Sequence, residues 1–188
     1  YAPDCYSSYY YVTATARLAI LLKEYAHPEM AQEYLDSALR AMEWAETDYA
    51  KIKEDATVSE HAKIIIRDLR NAAALEIYIA TGDSKWHDIF LADTVFTHKR
   101  VAIYDYNVHD QRQAAYRYAR LDASMVNEDI QKNCRQAIVL EANTCLRFIE
   151  NNAFNVCYER DPGQPIVCGY VSAPQGSYLA QAYVLTGA

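Results

Sequence analysis

The sequence predicts an all-α protein built as an array of helical hairpins, and three observations carry that prediction. First, a unit of helix, tight turn and helix recurs. In its clearest copy, IIIRDLRNAAALEIYIATGDSKWHDIF from Ile64 to Phe90, the first half is apolar almost all round, which a helix tolerates only where protein covers most of its circumference. Gly82 stops that helix, because glycine takes the left-handed conformation that ends helices, and Asp83 caps the next one. Second, the copies fall at near-regular intervals. LLKEYAHPEMAQEYL has its break at His27, 55 residues before Gly82, and AYVLTGA at 182–188 repeats IYIATGD at 77–83 with an offset of 105. A further turn is therefore expected between them, at Asp122 to Asn127. Third, apolar and amphipathic helices alternate, the pattern of two concentric helical layers. Four hairpins at roughly 50-residue intervals fit either a helical repeat or an α/α toroid.

Each element has its own signals. Helix 1, about Cys5 to Tyr25, is apolar through its middle apart from Thr13, Thr15 and Arg17 and reads as an inner helix. Helix 2 starts at Pro28, a residue suited to the first turn, and runs to about Glu46. Glu29, Glu33, Asp36, Arg40 and Glu43 form its solvated stripe, with Met30, Tyr34, Leu35, Ala38, Met42 and Ala45 behind. Helix 3 begins at Glu60 after the cap Ser59 and is the most apolar. Helix 4, Ser84 to Phe96, is its amphipathic partner, with Trp86, Phe90, Leu91 and Val95 at helical spacing. Helix 5 covers about Gln111 to Leu121, helix 6 about Glu128 to Asn151 behind the cap Asn127, and helix 7 Gly176 to Leu185. The turns inside hairpins are short, while the connections 47–58, 97–110 and 151–175 are long. Long loops on a rigid helical scaffold are where sites usually lie.

Composition bounds the function. At 188 residues, 52% of them hydrophobic and 23% charged, the chain is expected to fold as a single all-α domain. A net charge of -7 and the lack of Lys and Arg clusters argue against a nucleic-acid partner. No apolar run reaches the ~18 residues of a membrane helix, so no membrane partner is expected. Of the five cysteines, Cys134 and Cys145 share a helix face about three turns apart, too far to bond each other. Cys157 and Cys168 flank a loop and are the pair that could bond, against the simpler reading of buried thiols. No Cys/His spacing suits a metal and no glycine-rich loop suits a phosphate, so neither metal nor cofactor is expected.

Seventeen tyrosines against four Phe and two Trp skew the aromatics towards rings with a hydroxyl, which suit wet clefts that stack a polar ligand. The loop HKRVAIYDYNVHD at 98–110 puts two His, two Asp, two Tyr and two basic residues in thirteen positions. Rings stack on a sugar face and carboxylates accept its hydroxyl hydrogens. Tyr104, Asp105, Tyr106 and His109 are therefore candidate substrate-binding residues, with Tyr6 near the start of the chain and Tyr158 in the last long loop. The competing reading is an ordinary polar loop, and Tyr158 to Asp161 also reads as a salt-bridged turn. No catalytic residue is assigned, because the separation of two acids across a glycosidic bond is invisible in sequence.

The hairpin text itself is recognisable. DLRNAAALEIYIATGDSKW at 68–86, YAPDCYSSYYYVTATARLAILLKEY at 1–25 and GYVSAPQGSYLAQAYVLTGA at 169–188 resemble, in the right order, segments of glycoside hydrolase family 9, the family of many endoglucanases and cellulases. The resemblance implies an (α/α)6 toroid, the six-hairpin glycosidase arrangement. It also implies inverting hydrolysis of β-linked polysaccharides or oligosaccharides, and secretion or a periplasmic location. The family's Asp-Ala-Gly-Asp motif and its catalytic glutamate segment do not occur in these 188 residues. On this reading the chain is an incomplete, middle piece of a catalytic domain. It would supply scaffold and substrate subsites, with a carbohydrate and the remainder of its own domain as partners. Ala72 stands where many relatives carry a Trp that stacks on sugar. Two other readings are an open α-solenoid that binds another protein, for which unequal long loops are unusual, and a different α/α toroid enzyme such as a polysaccharide lyase.

Overall fold

The helices begin where side chains satisfy their orphan amide hydrogens. The structure, a computed structural model, describes residues 4–105, 108–151 and 168–187, without the side chains of 168–175. Helix α1 (Cys5–Glu24) is capped by Asp4, which accepts from the Ser7 amide, and α3 (Glu60–Thr81) by Ser59, which accepts from the Ala62 amide. Helix α4 (Ser84–Asp93) is capped by Asp83, and α6 (Glu128–Glu150) by Asn127. Helices α2 (Pro28–Glu54), α5 (Arg112–Ala119) and α7 (Cys168–Thr186) complete an all-α hairpin array. The described β-structure is one antiparallel pair, β1 (Tyr104–Asp105) and β2 (His109–Asp110), and a 3-10 turn covers Ala123–Met125. No helix among the described residues is long and apolar enough to cross a membrane.

Three boundaries differ from the sequence prediction, and in two of them a contact made in the fold is the reason. Helix α2 continues eight residues past Glu46 to Glu54, so 47–58 is not a long loop. Asp48 accepts the Cys5 amide at 3.1 Å and the Tyr49 ring packs 6.3 Å from that of Tyr9, contacts that carry the helix on. Helix α4 stops at Asp93 rather than Phe96 because the Gln111 side chain takes over. Its amide donates to the Asp93 carbonyl at 2.8 Å and its oxygen accepts from Val95 N–H at 3.0 Å. Helix α7 starts at Cys168, ahead of Gly176. The Cys157 to Cys168 pairing lies outside the described residues.

The chain divides into two compact units. The first comprises Tyr1–Val95 with Tyr104–Ala114. There α1 packs on α2 and α3, and α3 packs on α4 and β2. Tyr9, Val12 and Ala16 of α1, Ala38 and Met42 of α2, Ala73 to Leu75 of α3, and Trp86 and Phe90 of α4 are buried together as its core. Within these residues Tyr6, Tyr10, Leu18 and Leu21 of α1 remain exposed. The second unit comprises Phe96–Ile103 with Ala115–Ala188. Here α6 packs on α7, and α6 side chains satisfy carbonyls that α5 leaves open. Arg135 donates to Ala119 O and Gln131 to Leu121 O, each at 2.8 Å.

Candidate functional site

One concavity of the first unit is a cleft of ≈ 250 Å³ that brings together aromatic, charged and apolar side chains. That lies at the small end of ligand pockets, roughly 300–1,000 Å³, and suits one ring rather than several. Its floor comes from α3, where His61, Ile64, Ile65, Asp68 and Leu69 follow helical spacing and so share one stripe. One wall is Tyr6 and Tyr10, a turn apart on α1, with ring centroids 5.2 Å apart in an edge-on arrangement. The other wall is Tyr104, His109 and Asp110 of the β-hairpin.

The hairpin is held from below. Its ladder pairs Tyr104 with Asp110 and Asp105 with His109, and strands this short contribute little by themselves. Asp68, buried on α3, accepts Asp110 N–H at 2.5 Å and the Gln111 amide at 2.9 Å. Arg67 closes on Asp68 at 2.8 Å and also donates to Val108 O at 2.9 Å. At the rim, both oxygens of Asp110 accept from Arg112 at 2.6 Å. The Arg112 guanidinium lies 4.5 Å from the Tyr104 ring centroid. One face of Tyr104 is thus covered by a cation. Hydrogen bonding with Tyr6, then burial, then the charges of Tyr6 and Asp110 hold the Tyr10 hydroxyl above its ordinary pKa.

Chemically the cleft offers rings, a mostly apolar floor and the Asp110 carboxylate. Such a site grips a flat ring that carries hydroxyls. No group of three or more His, Cys, Asp or Glu among the described residues could hold a metal ion.

Of the residues singled out from the sequence, Tyr6, Tyr104 and His109 line this one cleft. Asp105 sits on the same hairpin, exposed and outside the lining. Tyr106 and Tyr158 lie outside the described residues. The sequence reading passed over Tyr10, His61, Asp68 and Asp110 as lining residues. A signal for two of them was present: His61 and Asp68 stand seven apart in an otherwise apolar stripe, where polar residues need a reason.

A second polar cluster on α3 stands apart from the cleft lining. Arg70 binds Glu46 through two bonds of 2.7 and 2.6 Å and Asp93 at 2.7 Å, and stacks 5.0 Å from the Tyr49 ring centroid. Burial opposes its charge, but the bonds and charges of Glu46 and Asp93 outweigh it and hold the guanidinium above its ordinary pKa.

No protein-family model matches the sequence, and no curated protein matches it. Solved structures do match. The family 9 endoglucanase J30 superposes with a TM-score of 0.75 at 15% identity, over 98% of this chain and 34% of that one. A Bacteroides ovatus family 9 glycoside hydrolase gives 0.71 at 16% identity, over 98% and 36%. The chain has the fold of part of a family 9 glycoside hydrolase. It spans about a third of the length of those two structures. Family 9 structures are (α/α)6 barrels, which agrees with the all-α hairpin array expected here.

Proposed function

We propose that this chain is the middle piece of a family 9 type catalytic domain that hydrolyses β-linked polysaccharide or oligosaccharide with inversion. In that role it supplies scaffold and a substrate subsite, and the catalytic acids come from the remainder of the same domain. The observation that carries the reading is the α1–α3–hairpin cleft, where Tyr6 and Tyr104 flank an apolar floor beside the Asp110 carboxylate, in a chain of this fold. One sugar ring would pack between Tyr6 and Tyr104 and give hydroxyl hydrogens to Asp110. Asp105 on the hairpin would extend the contacts, and Tyr106 and Tyr158, outside the described residues, are the further candidates for binding sugar. A polysaccharide hydrolase of this kind works where its polymer is, so the parent protein would be secreted or periplasmic.

The test uses the parent protein with defined gluco-oligosaccharides. The first sugar product should appear as the inverted anomer by proton NMR. Tyr104→Ala should weaken oligosaccharide affinity by about tenfold, the scale of one lost ring contact of ~1.4 kcal/mol. Unchanged affinity for every oligosaccharide would remove the subsite, and an unsaturated, ultraviolet-absorbing product would identify a lyase instead.

A further inference from the structure

Resting on the cleft as a sugar subsite, we propose that Asp68 is its positioning residue. By accepting from Asp110 N–H and the Gln111 amide, Asp68 keeps β1 and β2, with Tyr104 and His109, in place before any ligand arrives.

The geometry makes this a specific requirement for a carboxylate. Each of the bonds to Asp68 among the described residues comes from a donor: Asp110 N–H at 2.5 Å, Gln111 Nε2 at 2.9 Å, and Nε and Nη2 of Arg67 at 3.0 and 2.8 Å. Gln111 cannot turn its amide round to help an asparagine there. Its Oε1 already accepts from Val95 N–H, and its Nε2 also donates to Asp93 O. An asparagine at 68 would therefore set its own NH2 against another donor whichever way it faced. Asp68 is only 5% exposed, so water would not make good the loss. Arg67 reaches Val108 O as well, and so one ion pair on α3 grips the chain at Val108, Asp110 and Gln111. Strands of two residues contribute little hold of their own. Held from α3, the wall is preformed, and binding carries no cost of ordering it.

The experiment uses the full-length parent protein and thio-linked cellotetraose, which resists hydrolysis. In the unaltered protein, the Asp110 amide should exchange with solvent equally slowly with and without the sugar, within threefold. Asp68→Asn should speed that exchange at least tenfold and weaken the sugar's Kd at least tenfold. Glu76→Gln serves as the control, since it weakens a partly buried ion pair outside the cleft lining (Arg17 to Glu76, 2.6 Å). It should lower Tm and leave both readouts within twofold. Slow exchange of Asp110 only when sugar is bound would overturn the proposal, because the wall would then be closed by its ligand. So would a Kd unmoved by Asp68→Asn while Tyr104→Ala weakens it. If Tyr104→Ala also leaves Kd unmoved, the fault lies with the subsite itself and the inference falls with it. Should Asp68→Asn fail to fold, the exchange comparison in the unaltered protein decides alone.

Discussion

Replacing Arg70 by Met keeps most of the side chain's length and removes its charge. What remains is two partly buried carboxylates without their cation. Glu46 keeps a bond from the Tyr9 hydroxyl at 2.7 Å, while Asp93 loses its ion pair. Removing one partner of a buried pair costs roughly 3–5 kcal/mol. The side chains of Arg70, Glu46 and Asp93 are 15%, 26% and 12% exposed, so solvent takes up part of the loss and about 3 kcal/mol is expected. With a urea slope of about 2 kcal/mol/M, the midpoint should fall by about 1.5 M. The pH dependence is the sharper readout. Burial already holds the Asp93 carboxyl above its ordinary pKa, with Arg70 pulling the other way. Without Arg70 the Asp93 carboxyl rises further. A carboxyl whose folded pKa lies above its unfolded one adds stability below the unfolded value, and that stability is lost as pH rises through the folded value. The deficit of Arg70→Met should therefore be full at pH 7 and shrink towards pH 4. Adding Glu46→Gln and Asp93→Asn should recover at least half of it at pH 7. A deficit under about 1 kcal/mol, or one equal at pH 4 and pH 7, would refute the reasoning.

Three further outcomes are expected from urea midpoints. Gly82 closes α3 at φ 73 with nothing within 4 Å of where a Cβ would sit, so Gly82→Ala should cost only the left-handed strain, about 1 kcal/mol; Ala26, at φ 62 in the α1–α2 turn, should show the opposite sign on replacement by Gly. Burial alone raises the Glu141 carboxyl on α6; Glu141→Gln should stabilise the protein at pH 7, and the gain should vanish below the ordinary glutamate range, near pH 4, where both states are protonated.

The elements that could be read from the sequence were those whose signals are local. Asp4, Ser59, Asp83 and Asn127 each cap a helix by bonding an amide two or three residues on, and Gly82 ends one by its own backbone. Such contacts are written within four residues of the boundary they set. The end of α2 is different, because Asp48 and Tyr49 are ordinary helix residues until Cys5 and Tyr9 lie against them. The end of α4 depends on Gln111, eighteen residues beyond Asp93. The cleft divided in the same way. Tyr104 and His109 stood out because their loop is dense in ring and charge, and Tyr6 because tyrosines crowd the chain's start. Asp68 did not stand out: in an apolar helix a lone acid reads as a surface residue until its four donors are in place. Asp105 drew attention as the carboxylate beside the tyrosines, whereas the carboxylates lining the cleft are Asp68 and Asp110.

One turn of α3 accounts for both what is rigid in the first unit and where its cleft lies. Arg67, Asp68, Arg70 and Asn71 fall within little more than one turn of α3. On an amphipathic helix two or more of them would meet water. On this one all four find partners elsewhere in the chain. Arg67 and Asp68 take Val108, Asp110 and Gln111; Arg70 takes Glu46 on α2 and Asp93 at the end of α4; Asn71, fully buried, donates to Phe90 O at 2.9 Å. The stretch that follows, Ala72 to Ile79, is nearly all apolar and does the packing. Polar residues inside a buried helix must be satisfied by something, and here their partners are parts of α2, the end of α4 and the hairpin. The wall that carries Tyr104 and His109 is thereby fixed to the most buried helix of the unit. A subsite built this way holds its shape through the core, so substitutions that loosen α3 at Asp68 should be felt at the cleft, while those that spare this turn, as at Glu76, should not.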